Sequence, residues 1–130
     1  MSTGLPVTLT IHGEPASKAN SRQIVTIRGR PAVIKSKKAR LYVAEFAAQC
    51  PKIEPLLDGD LIATIHIFYR TRRPDLDASV VLDCLQNRVI VNDRQFKELH
   101  LYHGIDRENP RAEISITKKA LSEKERAKQE

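Results

Sequence analysis

The run Leu61-Ile62-Ala63-Thr64-Ile65-His66-Ile67-Phe68-Tyr69 is the stretch that most constrains how this chain can fold. So many β-branched and apolar residues in succession read as a strand at the centre of a sheet. Pro74 ends that continuity and leads into Asp75-Leu76-Asp77. Two carboxylates spaced i, i+2 on an extended backbone share one side, and Leu76 between them points the other way, into a core. Carboxylates held together repel, and a cation stabilises their charged forms. Hard divalent cations take oxygen ligands, so the pair suits magnesium. Arg72 and Arg73, just upstream, suggest an anionic substrate.

Other segments supply neighbours for that strand. Residues 7–13 alternate around Val7, Leu9 and Ile11, as a half-buried strand does. Residues 23–27 and 31–35 flank Arg28-Gly29-Arg30 and predict a β-hairpin with a basic tip. Ser36 can cap a helix over residues 37–49, stopped by Pro51. Its apolar face is expected to follow Leu41, Ala44 (or Glu45) and Ala48, widened by Tyr42, Val43 and Phe46. A short helix is expected from Asp77 or Ser79 to about Gln86, with Asn87-Arg88 turning the chain into residues 89–91. Residues 98–103 and 112–117 read as two strands paired with each other across the polar 104–111 connection. Residues 118–130 are charged almost throughout, an exposed helix or a frayed tail. Runs of strands with two main helices argue α+β, a small mixed sheet packed with two helices.

A chain of 130 residues is one domain, with or without a tail. Neither Cys50 nor Cys84 lies in a CxxC or zinc pattern, so both are expected as reduced core thiols. No stretch reaches transmembrane length and no apolar signal core opens the chain, so a cytoplasmic protein without a membrane partner is expected. The net charge of +6 is unevenly spread: residues 1–50 carry eight Lys and Arg against two acids. Lys18, Arg22, Arg28, Arg30, Lys35, Lys37 and Lys38 are candidate phosphate contacts there, with Arg72 and Arg73 beside the aspartates. A basic surface around an acidic metal pocket is what a nuclease needs.

Pro74-Asp75-Leu76-Asp77, Leu82-Asp83-Cys84-Leu85 and Asn92-Asp93-Arg94-Gln95-Phe96 resemble the signature of the RusA-type Holliday-junction resolvases. Ile11-His12-Gly13-Glu14-Pro15-Ala16-Ser17-Lys18 is similar to that family's opening strand and G-x-P-x-x-K loop. The resemblance implies a RusA-like domain over residues 1–117 and a charged segment over 118–130. It implies that Asp75, Asp77 and Asp93 are the catalytic and metal-binding carboxylates. It further implies a homodimeric endodeoxyribonuclease that uses Mg2+, with Mn2+ as a substitute, and cuts branched DNA such as a four-way junction by paired symmetric nicks. Two departures stand out. Val81 and Ala78 occupy positions where the family has lysine and asparagine, and Asn92 replaces the first acid of a D-D pair. Val81→Lys is therefore expected to restore a missing charge.

Plainer readings compete with these. A D-x-D pair before a helix is often an N-cap and a surface turn. The same fold without catalysis would be a branched-DNA-binding protein. Pro74-Asp75 also matches the opening of PD-(D/E)xK nucleases, but no D/E-x-K follows on a suitable strand. Asp83 is expected to be structural, Asn92 to stand behind the ligands, and His100 and His103 to be surface or interface residues. Cys84 is expected to be a core residue, since no activating histidine accompanies it.

Overall fold

The computed structural model describes residues 6–16, 22–72 and 74–119, with the side chain of Arg22 left undescribed. Lys18, Arg73 and residues 120–130 lie outside the described residues. Among the described residues six strands and two helices run β1 (Val7–His12), β2 (Arg22–Ile27), β3 (Arg30–Lys35), α1 (Lys37–Gln49), β4 (Leu61–Tyr69), α2 (Ser79–Leu85), β5 (Phe96–Ile105) and β6 (Arg111–Lys118). The fold is α+β.

Four strands form one mixed sheet in the order β1-β6-β4-β5, and β4 is central as its composition requires. It pairs antiparallel with β6 and parallel with β5. The expected pairing of residues 98–103 with 112–117 is therefore corrected: β4 lies between those strands. A short polar connection is compatible with a hairpin, but β4 offers both strands a partner whose inward face, Leu61, Ala63, Ile65 and Ile67, is apolar and fully buried. Leu61, Ala63, Ile65, Ile67 and Tyr69 alternate into the core and are fully buried. Leu9 and Ile114, and Ile65 and Ile114, stand opposite each other in register, which carries the inward face across the sheet. The structural parity is strict because a slip of one residue would turn the whole apolar set to solvent.

Helix α1 begins at Ser36, whose side-chain oxygen accepts from the Ala39 amide at 3.2 Å. It buries Ala39, Tyr42 and Phe46, while Leu41 is 55% exposed. The apolar face thus follows the spacing 39, 42, 46 and ends at the buried Cys50, not 41, 44, 48. The two aromatic rings, bulkier than alanine, decide which side turns inward. Helix α2 buries Val80, Val81 and Leu85 against the same core. Asn87 closes it with φ 66°, a left-handed conformation that asparagine tolerates. In the stretch after it, isolated bridges join Ile90 to Leu57 and Gln86.

The opposite face of the sheet carries Thr8, Thr10, Thr64, His66, Phe68, Tyr102 and Glu113. His66 stacks on Phe68 with centroids 4.1 Å apart, and the Arg111 guanidinium lies 4.0 Å over the Phe68 ring. Gly104, opposite Phe68, is required here: a Cβ would meet Phe68 Cδ1 at 2.6 Å. A shallow groove of about 560 Å³ runs along this face between Thr8, Thr64, His66 and Tyr102. The β2–β3 hairpin forms a separate two-stranded sheet. Its two-residue turn places Arg28 and Gly29 at φ 51° and 79°, the positive pair that matches hairpin twist. Ile24 and Val33 face each other in its register and are 74% and 63% exposed.

Candidate active site

The aspartate loop leaves the C-terminal end of β4. Tyr69, the last residue of that strand, is fully buried and points under the loop. Its hydroxyl donates to the Asp75 carbonyl at 3.1 Å and accepts from the Asp77 amide at 3.2 Å. Burial pushes the Tyr69 phenol up; the Asp77 amide opposes this, while the charges of Asp77, Glu14 and Asp75 add to it. Tyr69 therefore stays protonated beneath a group of carboxylates. Asp77 also takes up a turn role: its Oδ1 accepts from the Ser79 amide at 3.0 Å and the Ser79 hydroxyl at 2.7 Å, at the start of α2. Asp75 is exposed, and Leu76 packs at the margin of the core.

Glu14, which sequence reasoning passed over, reaches the same end of the sheet. Its Oε2 accepts from the Arg70 amide at 2.8 Å, and its Oε1 pairs with Lys38 at 3.2 Å. The loop after β1 is thus pinned beside the loop after β4. The only sequence signal was Glu14 itself, inside the G-x-P-x-x-K resemblance. His103 is the second residue missed as a site contact: its Nε2 meets the Pro74 carbonyl at 3.1 Å and its ring lies 4.8 Å from that of Tyr69. The expected pairing of β5 with β6 concealed it, since His103 reaches this site only because β5 runs parallel to β4.

Asp93 stands elsewhere. It opens a short 3-10 turn, Asp93–Gln95, just before β5, beside the start of β4. At about 3.3 Å per residue the two ends of β4 are roughly 26 Å apart. The fold attaches Asp75 and Asp77 to one end and Asp93 to the other. Among the described residues no three His, Cys, Asp or Glu side chains gather where they could hold one metal ion. The oxygen donors of Asp75 and Asp77 suit a hard cation in kind.

The Asn92–Gln95 segment is held by its own side chains. Asn92 Oδ1 accepts from the Arg94 amide at 2.8 Å, as a helix cap does, so its oxygen serves the turn. Gln95 Oε1 accepts from the Val91 and Asn92 amides, and its Nε2 donates to the Leu57 and Gly59 carbonyls at 2.9 and 3.0 Å. The glutamine of this motif is a structural staple.

Among the predicted phosphate contacts, Arg28, Arg30, Lys35, Lys37, Lys38 and Arg72 are all exposed. Arg28 and Arg30 sit at the hairpin tip, Lys35 at its base, and Lys37 and Lys38 in the first turn of α1, which holds no acid. Arg22 opens β2, opposite Lys35 in register. Val81 is fully buried, so the position read as a missing lysine is a core position and Val81→Lys cannot present a charge to substrate. Asp83 is exposed and makes no ion pair among the described residues. Burial pushes the Cys84 thiol up to about 11, which makes it a poor nucleophile at neutral pH. Among the described residues no helix is long and apolar enough to cross a membrane.

The family model for Endodeoxyribonuclease RusA matches residues 12–117, from the end of β1 to the last strand. No curated protein matches the chain. The match spans the strand, loop and turn that carry Asp75, Asp77 and Asp93, and on it the chain belongs to the RusA family of endodeoxyribonucleases.

Proposed function

We propose that the protein is a structure-selective endonuclease that resolves four-way DNA junctions. The observation that carries this reading is the Asp75–Asp77 pair, raised on the end of a rigid central strand within a chain of the RusA family. The basic hairpin and the first turn of α1 supply phosphate contacts that position the backbone without reading bases. Asp75 and Asp77 hold Mg2+, or Mn2+ in its place; a bound divalent cation would acidify a water and neutralise the attacked phosphate. Two copies act together, so that paired nicks fall about a two-fold axis. A second copy also offers a second Asp93, which answers the separation of the three aspartates within one chain. The uncovered sheet face with His66, Phe68 and Tyr102 is the surface this assembly would use. The protein works in the cytoplasm.

One observation favours a second reading, a branched-DNA-binding protein without catalysis: among the described residues no three His, Cys, Asp or Glu side chains gather into a metal-binding group. A labelled synthetic four-way junction, incubated with and without Mg2+ or Mn2+, separates the two. Metal-dependent nicking is expected. Tight binding with no nicking in either metal would leave only the binding protein. Asp77→Asn is expected to lower cleavage at least ~10³-fold while junction binding in EDTA stays within a few-fold. A variant that still cuts at the wild-type rate would remove Asp77 from the site.

A further inference from the structure

We propose that His103 and Tyr69 form a positioning clamp that sets the backbone of the aspartate loop and so fixes where the Asp75 and Asp77 carboxylates point. The inference deepens the reading of Asp75 and Asp77 as the metal-holding pair. It starts from how this loop is held. Among the described residues, residues 74–77 contribute to no strand ladder, and their backbone is tied by three bonds from two side chains. Tyr69 gives two, to the Asp75 carbonyl and from the Asp77 amide. His103 gives the third, to the Pro74 carbonyl; a carbonyl only accepts, so Nε2 carries the hydrogen.

The two side chains also hold each other. Tyr69 ends β4, and His103 stands on β5 opposite Ile67, two residues earlier. This diagonal places the rings 4.8 Å apart with a 31° tilt, within the range where aromatic faces attract. The clamp is rigid at its root because Tyr69 is fully buried among core residues. His103 is exposed, so it closes the clamp from the solvent side. Asp75 is left exposed, while Asp77 keeps its Oδ1 on the Ser79 amide and hydroxyl at the start of α2. A site built this way is set by the sheet and not by the loop, which is how supporting residues fix ligands to within a fraction of an ångström.

Three variants test the clamp: His103→Ala removes the donor, His103→Gln keeps a donor at similar reach, and Tyr69→Phe removes only the hydroxyl. Hydrogen exchange across residues 74–78 is measured in metal-free buffer. Mn2+ binding is titrated by electron paramagnetic resonance, and junction binding is measured in EDTA. His103→Ala and Tyr69→Phe are expected to speed exchange at the Asp77 amide at least ten-fold. Both variants are expected to weaken Mn2+ binding roughly ten-fold or more, the usual cost of losing a residue that supports a metal ligand. Junction binding in EDTA should stay within two-fold, and His103→Gln should stay within three-fold of wild type throughout. Unchanged exchange and Mn2+ affinity in His103→Ala would overturn the proposal, as would a His103→Gln variant as impaired as His103→Ala. Should buried Tyr69→Phe fail to fold, the two His103 variants decide alone. A wild-type protein that binds no Mn2+ sinks the metal reading instead, and the exchange arm then judges the clamp by itself.

Discussion

At the Tyr69 end of β4 the sheet reaches out to its loop; at the Leu61 end the loop reaches in to the strand. Tyr69 and His103 extend from two strands and grip the backbone of residues 74–77, Tyr69 from the core and His103 from the solvent side. Gln95 works in reverse, spreading four hydrogen bonds from the turn before β5 onto Val91, Asn92, Leu57 and Gly59. The first arrangement presents Asp75 outward and turns Asp77 back onto Ser79, on a backbone held by the sheet. The second folds a segment down and leaves Asp93 alone on a well-tied turn. One end is organised to display side chains, the other to close the chain, and α2 joins them.

That contrast can be broken most severely in the helix between the two ends. Val81→Lys would bury an unpaired ammonium in a fully enclosed position, and a loss of about 3–5 kcal/mol or outright misfolding is expected. Denaturant unfolding measures it; a stable variant with raised turnover would return position 81 to the active site. Gln95→Ala comes next. It strands two amides and two carbonyls at once, so a loss of about 2 kcal/mol is expected by the same measurement. A loss below about 0.5 kcal/mol would mean that water replaces the staple and that the Leu61 end needs no such tie. Tyr69→Phe is smaller in stability, about 1 kcal/mol, because the ring still fills its core site and one hydroxyl is removed. If it cost as much as Gln95→Ala, the two ends would not differ in kind. Smallest of all, Ile24→Ser on the exposed hairpin face is expected to move stability by less than about 0.5 kcal/mol. A larger drop would show that the hairpin packs on the main body in solution.

Much of this was legible in the sequence because short-range chemistry dictated it. The apolar run of β4, the Ser36 cap before α1, the Arg28-Gly29 turn and the short α2 all rest on residues acting on near neighbours. The aspartate motif was legible too, as a pattern. What the pattern could not carry was distance. Asp75, Asp77 and Asp93 read as one constellation because they fall within one signature, yet a parallel β4–β5 pair sends the last of them to the far end of the sheet. The same parallel register brings His103 to Pro74 and Tyr69, which no local rule foresees. The α1 face went astray for another reason: a run containing Leu41, Tyr42, Val43, Phe46 and several alanines has two apolar sides, and core volume chose the aromatic one. Position 81 was misread because spacing to a motif says nothing about which way a helical side chain points.

The pairing of β1 with β6 has a consequence for how the chain folds. Val7 meets Ile116, and His12 meets Arg111, so this edge of the sheet joins segments that are remote along the chain. Closing a loop that long costs chain entropy that grows with the logarithm of its length, and nothing local repays it early. The parallel β4–β5 contact, spanned by α2 within about forty residues, can nucleate first. Strand β1 is then the last of these strands to dock. Glu14, which follows that strand, would arrive beside Arg70 only at the final step, so the candidate site becomes complete when the sheet's own edge is sealed.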